Sequence, residues 1–257
     1  APTGGNTAVR SDGINDLMSV ADDDDINTYG GESSAKSFEL WFTADDVISR
    51  QVLYEQGGAG NGTNLYLYGG RVYFGIWDDN AGNDDSFISA QVEAGRTYHV
   101  GGVWDQPATT LYVNGVKVAE GVTDFNGNGG LSTHVGNIAA AGYDDQTRYH
   151  NASQDDHGQG DYFTGVLDEI ALYNTALSES QVEAHFDAAG VLVNDYDPDA
   201  GDVITVTANT DGANGGLATV NADGSFTYDP NGNFQNLLPG ETATDTFTYT
   251  VSAGALS

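Results

Sequence analysis

The sequence predicts an all-β protein built mainly as a β-sandwich, and three observations predict it. Apolar and polar residues alternate with a period of two through most of the chain, the pattern of strands buried on one face. A glycine pair and an Asn-Gly dipeptide fall between such runs, where two-residue hairpin turns need positive φ angles. A single stretch carries helical spacing together with a helix start signal. Many strands and one short helix are best accommodated by antiparallel sheets packed face to face.

Each element can be argued in chain order. In SFELWFTA, Phe38, Leu40 and Phe42 share one face and Glu39 and Trp41 the other, so the run predicts a half-buried strand. Residues 51–56 predict the next. NLYLYGGRVYFGIW places Leu65 and Leu67, then Val72, Phe74 and Ile76, on core-type positions around Gly69-Gly70, which predicts a hairpin. Strands follow at 86–92 and 98–104, and TTLYVNGVKVAEG repeats the hairpin device around Asn114-Gly115. Residues 134–138 and 162–173 complete this set. Ser178 with Gln181 three residues later forms a capping box, and Val182 and Phe186 at i, i+4 supply an apolar stripe. Beyond Ala188-Ala189-Gly190 aromatics thin out and Thr and Asn rise. This change of texture divides the chain into residues 1–189 and a shorter domain, 190–257, with strands expected at 203–208, 217–221, 225–228 and 246–252.

Charge narrows the function classes. Thirty-eight acidic side chains against seven lysines and arginines give a net charge of −31. Such an excess repels phosphates and leaves no basic patch to release counterions, so nucleic acid is not an expected partner. No run approaches the roughly 18 apolar residues of a membrane span, and no charged-then-apolar leader opens the chain, so membrane insertion is not expected. The absence of cysteine excludes disulfides, thiol nucleophiles and thiolate metal sites. Of the acids, 29 are Asp and nine are Glu. Asp beside Asn and Gly is turn chemistry, and short carboxylates beside carbonyls in turns also hold hard cations such as Ca²⁺. A solvated acidic surface is the other reading of the same residues.

Residues 8–187 resemble the bacterial laminin-G-like members of the concanavalin A-like lectin and glucanase superfamily. The resemblance runs through AVRSDGINDLMSV, FELWFTADD, VLYEQGG, LYLYGGRVYFGI, GRTYHVGGVWD, TTLYVNGVKVAEG and YFTGVLDEIALYNTALSESQVEAHF. It implies a jelly-roll sandwich; many such domains bind calcium and glycans or protein surfaces, and few are catalytic. Residues 191–252 resemble the VCBS and cadherin-like repeats of bacterial repeats-in-toxin adhesins, through VLVNDYDPDAGDVITVTA, VNADGSFTYDPNGNF and PGETATDTFTYTVS. That family usually carries Asp-Gly after its TYTVS strand, whereas Ala253 precedes Gly254 here. A calcium ligand expected there is missing, and the first and last strands of that repeat are absent, so the expected second domain is a partial Ig/cadherin-like sandwich, either cut short or split by the lectin-like domain.

Candidate functional residues fall in acidic loops. Asn194, Asp195, Asp197, Asp199 and Asp202 form the sharpest motif, with oxygens at alternate positions and a turn to fold them back onto one Ca²⁺. Asp78, Asp79, Asp84 and Asp85 join two strands beside Trp77 and predict a rim site, with Trp77 a candidate for stacking on a ligand. The long segment 139–161 holds Asp144, Asp145, Asp155, Asp156 and Asp161 with Tyr143, Tyr149 and His150; a run of this length without strong periodicity points to a functional loop. Sugar recognition needs flat aromatic faces and planar polar groups, and Tyr143, Asp144, Asp145, Tyr149 and His150 supply both. Simple up-and-down strands would put the Asp78 and Asp144 loops at opposite ends of the sandwich, as two sites; crossovers between the sheets would break that parity and leave one site or two open. Asp168 and Asp12 are candidates for a separate ion site or for capping turns.

No enzyme is expected. The ExDxxE strand motif of related glucanases, which sets paired carboxylates on one face, does not occur, nor do a GxSxG elbow, a GxxxxGK loop or an HExxH pair. The expected function is a calcium-dependent, carbohydrate-binding module of a secreted bacterial adhesin, with calcium as cofactor and a cell-surface or extracellular polysaccharide as partner. The alternative is a calcium-rigidified structural or peptide-binding domain of an adhesin stalk. Either would sit on the bacterial cell surface among adjoining domains of one long chain.

Overall fold

In the computed structural model the period-two runs form strands; the structure describes residues 8–20, 35–58, 60–78, 85–123, 138–144, 146–151, 154–155, 159–192, 195, 203–222, 224–238, 241 and 243–254. In chain order these are β1 (Val9–Asp12), β2 (Met18–Val20), β3 (Ala35–Ala44), β4 (Gln51–Gly57), β5 (Asn61–Tyr68), β6 (Arg71–Asp78), β7 (Ser86–Gln91), β8 (Thr97–Asp105), β9 (Ala108–Val113) and β10 (Val116–Val122). They continue with β11 (Ile138–Ala140), β12 (Tyr143–Asp144), β13 (Thr147–Arg148), β14 (Gln154–Asp155), β15 (Gln159–Gly160) and β16 (Thr164–Tyr173). Helix α1 (Glu179–Ala188) precedes β17 (Val203–Asn209), β18 (Leu217–Val220), β19 (Phe226–Asp229) and β20 (Tyr249–Gly254). The chain divides into two compact units, Ala1–Ala184 and His185–Ser257.

The first unit is a sandwich of two six-stranded antiparallel sheets. One has the order β1-β16-β3-β8-β9-β10 and the other β2-β11-β4-β5-β6-β7. Phe38, Leu40 and Phe42 of β3 meet Leu65, Leu67, Val72, Phe74 and Ile76 of β5 and β6 in one buried core, joined by Trp104. Gly69 and Gly70 take φ of 59° and 79°, and Asn114 and Gly115 take 52° and 74°, so both hairpins turn where two positive φ angles are tolerated. The first turn fixes the register: Tyr68 pairs with Arg71, Leu67 with Val72 and Tyr66 with Tyr73. Of the strand expected at 134–138 only Ile138 lies within the described residues, where β11 begins.

The helix starts where its cap predicts. The Ser178 backbone N–H donates to Gln181 Oε1 at 2.9 Å, and Gln181 N–H points back at Ser178 Oγ at 3.4 Å. Val182 is buried with Val103, Tyr112 and Leu177 on the outer face of the first sheet. Trp41 also lies on that outer face, 4.8 Å from His99 between ring centroids, and is buried there.

In the second unit β17 pairs with β20 and β18 with β19, both antiparallel. Asp245 ties its loops together. The carboxylate accepts from the backbone N–H of Asn214 at 2.7 Å, Gly216 at 3.0 Å and Thr246 at 2.9 Å, and from the Tyr228 hydroxyl at 2.7 Å. A groove of about 670 Å³, walled by Phe226, Phe234, Phe247, Tyr228 and Tyr249, opens within this unit.

Candidate functional site

Because Leu65, Leu67, Val72 and Phe74 face the core, strand alternation turns Asn64, Tyr66 and Tyr68 of β5 and Arg71 and Tyr73 of β6 to the outer face of the second sheet. That face would be a plain solvated sheet were it not for the segment after β11. Two short ladders, β12 with β15 and β13 with β14, fold this segment back on itself. It is laid over the sheet by specific anchors. The buried Asn64 amide donates to Thr147 Oγ1 at 2.9 Å and to the Arg148 carbonyl at 2.7 Å, and Val52 N–H donates to the Asp161 carbonyl at 2.8 Å. Val52, Tyr66, Tyr143 and Tyr149 are then buried together as a second apolar cluster outside the sheet.

Tyr149 packs edge-on against Tyr66, centroids 5.0 Å apart, and carries the Arg50 guanidinium 4.0 Å above its ring. Asp161 closes this arrangement: it accepts from Arg50 Nε at 2.7 Å and from the Tyr149 hydroxyl. The next residue, His150, lies over the sheet. Its ring stacks on Tyr73 at 4.3 Å and 12°, and reaches Tyr68 at 5.8 Å, while Tyr66 stacks on Tyr73 at 4.9 Å and 8°. Tyr68 is 42% exposed, His150 is exposed and Tyr73 is half-buried. The result is an aromatic platform with one side held by protein and the other open.

Protonation states follow from burial. Burial is the main cause that holds the Tyr66 phenol above its ordinary range, with Tyr73 adding to it, and burial lowers His150 below the ordinary histidine value. His150 is therefore a neutral ring at pH 7. The Tyr66 hydroxyl accepts from the His150 backbone N–H at 2.9 Å and lies 2.8 Å from Nδ1. Where that hydroxyl donates to Nδ1, the ring proton sits on Nε2. The hairpin tip is fixed as well, since Gly69 and Gly70 N–H donate to the Ile48 and Val47 carbonyls at 3.0 and 2.8 Å. Flat rings with a donor at their edge suit the C–H face and hydroxyls of a sugar ring.

Of the sequence-derived ligand candidates, Tyr149 and His150 come together here, Tyr149 as a buried support and His150 at the surface. Tyr143 is buried beneath them, and Asp144 accepts from Gln159 Nε2 at 3.1 Å. Trp77 is placed differently from a stacking residue: it is 0% exposed, its indole N–H donates to the Gly58 carbonyl at 2.8 Å, and Phe87 stacks on it. Its ring fits because residue 62 is glycine; a Cβ there would meet the indole at 2.6 Å. Arg148 of the long segment reaches Asp85 at 3.4 Å, because the segment crosses the sheet face instead of staying at its rim.

The calcium candidates divide. Asp79, Asp84, Asp145, Asp156, Asn194, Asp197, Asp199 and Asp202 lie outside the described residues, as does the side chain of Asp155. Asp78 is buried at the end of β6, paired in register with Asn61. Asp161 and Asp85 bind arginines, Asp168 Oδ1 accepts from Glu169 N–H at 2.9 Å, and Asp195 accepts from the Tyr249 hydroxyl at 2.9 Å. Asp12 Oδ1 caps a turn through Ile14 N–H at 2.9 Å. Among the described residues no group of three or more His, Asp or Glu side chains is placed to hold a metal ion. Alternation put Tyr66, Tyr68, Arg71 and Tyr73 outside the core without marking them as a site. The signal that finds them is the two-residue turn, which fixes Tyr66 opposite Tyr73.

The fold is a β-sandwich of two six-stranded antiparallel sheets with an aromatic cluster on one sheet face. The sequence pattern of the concanavalin A-like lectin/glucanases superfamily matches residues 12–183, more than half of the chain, and the chain belongs to that superfamily. The pattern of the bacterial cadherin-like domain matches residues 164–257. No curated protein sequence is significantly similar to the chain. Among solved structures, the binding domain of botulinum neurotoxin serotype D superposes with a TM-score of 0.53 at 10% identity, over 83% of this chain and 50% of that one. The chain thus spans about half the length of that domain. Domain 4 of a GH43 extracellular arabinanase from Geobacillus stearothermophilus, solved with arabinotriose, gives 0.46 at 16% identity, covering 70% of this chain and 81% of that one. A SAP-like pentraxin from Limulus polyphemus gives 0.45 at 14% identity, covering 86% and 84%. Among the described residues no helix is long and apolar enough to cross a membrane.

Proposed function

We propose that the first unit is a non-catalytic carbohydrate-binding module whose ligand lies across Tyr68, Tyr73 and His150. One observation carries the reading: three aromatic rings from a hairpin and a crossing segment cluster on the outer sheet face, His150 stacked on the half-buried Tyr73 and exposed beside Tyr68. Such a face meets the C–H side of a pyranose with little ordering cost, because the rings are already in place. Membership in the concanavalin A-like superfamily supports the same class of ligand. The setting we propose is a secreted bacterial adhesin; the cadherin-like match over 164–257 supports that setting.

Calcium dependence is the second part of the proposal. It rests on Asp79, Asp84, Asp155, Asp156, Asn194, Asp197, Asp199 and Asp202 in the sequence, whose side chains lie outside the described residues. A glycan microarray probed with the intact chain, with and without a chelator, tests both parts. Binding that is lost in chelator supports them together, chelator-insensitive binding removes the calcium part alone, and a blank array contradicts the carbohydrate reading.

A further inference from the structure

Arg71 differs from the other arginines of the chain. The chain has only seven lysines and arginines among 38 acids. Arg10, Arg50, Arg96, Lys117 and Arg148 are matched to Asp45, Asp161, Glu93, Glu120 and Asp85 respectively. Arg71, among the described residues, has no carboxylate partner. Its guanidinium is instead held by one neutral residue, Nε to Ser89 Oγ at 2.9 Å and a terminal nitrogen to the Ser89 carbonyl at 3.0 Å. Two of its donors are thereby used and the remainder are left for something else.

Its position gives that remainder a purpose. Arg71 is the register partner of Tyr68 and stands two residues before Tyr73 on the same face, so it borders the aromatic platform. Ser89 sits opposite Tyr73 on β7, which fixes the guanidinium along this edge. With so many acids in the sequence, an arginine that meets no carboxylate among the described residues is most simply one whose carboxylate arrives with a ligand. The net charge of −31 does not forbid this, because at physiological ionic strength charges beyond about 8 Å are largely screened and the local cation dominates. A guanidinium fork matches a planar carboxylate in two-point hydrogen bonding.

We propose that the platform selects acidic saccharides, with the carboxylate of a uronic-acid-type residue bound by Arg71 while its ring or the adjacent sugar lies on Tyr73 and His150. The inference rests on the carbohydrate reading above. The test is a calorimetric titration of the intact chain with oligogalacturonate and oligoalginate, each against its carboxyl-reduced, neutral counterpart. The expected result is at least tenfold tighter binding of the acidic forms. Arg71→Gln should bring the acidic and neutral forms to within about twofold, and raised salt should weaken only the acidic ones. A sulfated neutral oligosaccharide that equals the uronate would overturn the carboxylate assignment. Wild-type binding that ignores charge, or a preference that survives Arg71→Gln, overturns the inference and leaves the platform standing. Failure of every saccharide to bind overturns the platform, and the inference with it.

Discussion

His150 is attached to Tyr66 at two points, through its backbone N–H at 2.9 Å and its ring Nδ1 at 2.8 Å, both on one phenolic oxygen. That oxygen therefore sets both the path of the crossing segment and the orientation of the ring on Tyr73. Tyr66→Phe keeps the stacked ring and removes the oxygen. The expected loss is about 1–2 kcal/mol of stability, seen as a melting temperature lower by about 2–8 °C, with faster amide exchange at His150.

The neutral state of His150 gives a pH dependence with a definite sign. Its folded pKa lies below the ordinary value of about 6.5 because burial disfavours the charged ring. Between the folded value and about 6.5 the unfolded chain binds the additional proton, so the contribution of His150 is complete above about 6.5 and is lost as pH falls through the folded pKa. An NMR titration of the ring should give a midpoint below 6.5, and Tyr66→Phe should move it.

Lys36 titrates in the opposite region of pH. It lies on the core side of β3, in register with Trp104, and burial lowers its pKa to about 8. Below pH 8 folded and unfolded forms are both protonated; from there to about 10.4 the unfolded chain holds a proton that the folded one lacks, and stability rises with pH. The melting temperature should climb between pH 8 and 10 in the wild type and stay level in Lys36→Met.

Asp161 was a metal candidate by sequence and is a structural acid by geometry. It holds Arg50 at 2.7 Å and the Tyr149 hydroxyl, with φ of 45°. Asp161→Asn tolerates that φ but loses the charge, which should cost about 1–3 kcal/mol. The loss should be the same in calcium and in chelator, as read from denaturant unfolding.

In the second unit Asp245 is the corresponding test. Burial pushes its carboxyl up, but the Asn214 N–H, the Tyr228 hydroxyl and the Gly216 and Thr246 N–H groups together hold it below the usual carboxylate range. Its contribution is present above about pH 3.9 and is lost as pH falls through the lower folded value. Asp245→Ala should lower the unfolding transition of this unit and flatten its acid dependence, measured by calorimetry.

Much of this architecture is legible from residue order because it is local. The Gly69-Gly70 and Asn114-Gly115 turns, the Ser178–Gln181 cap and the core sides of β3, β5 and β6 all follow from periodicity and backbone freedom. The site was harder to read because it is made across the sheet. Nothing local says that residues 147–150 cross over β5, since the contact depends on Asn64 meeting Thr147 and Tyr66 meeting His150 at a sequence separation of over 80 residues. Trp77 shows the reverse case. Its acidic neighbours suggested exposure, but Gly62 opens a slot in which the indole is buried.

The central claim is that a sugar lies on Tyr68, Tyr73 and His150. It is tested most directly by following the ring resonances of these residues by NMR while the best-binding oligosaccharide from the array is titrated into the intact chain. The account predicts that Tyr68, Tyr73 and His150 shift first and furthest, and that Tyr73→Ala weakens binding about tenfold, as the loss of one stacked ring requires. Saturation of the chain with those three rings unmoved, and residues elsewhere shifted, would contradict it.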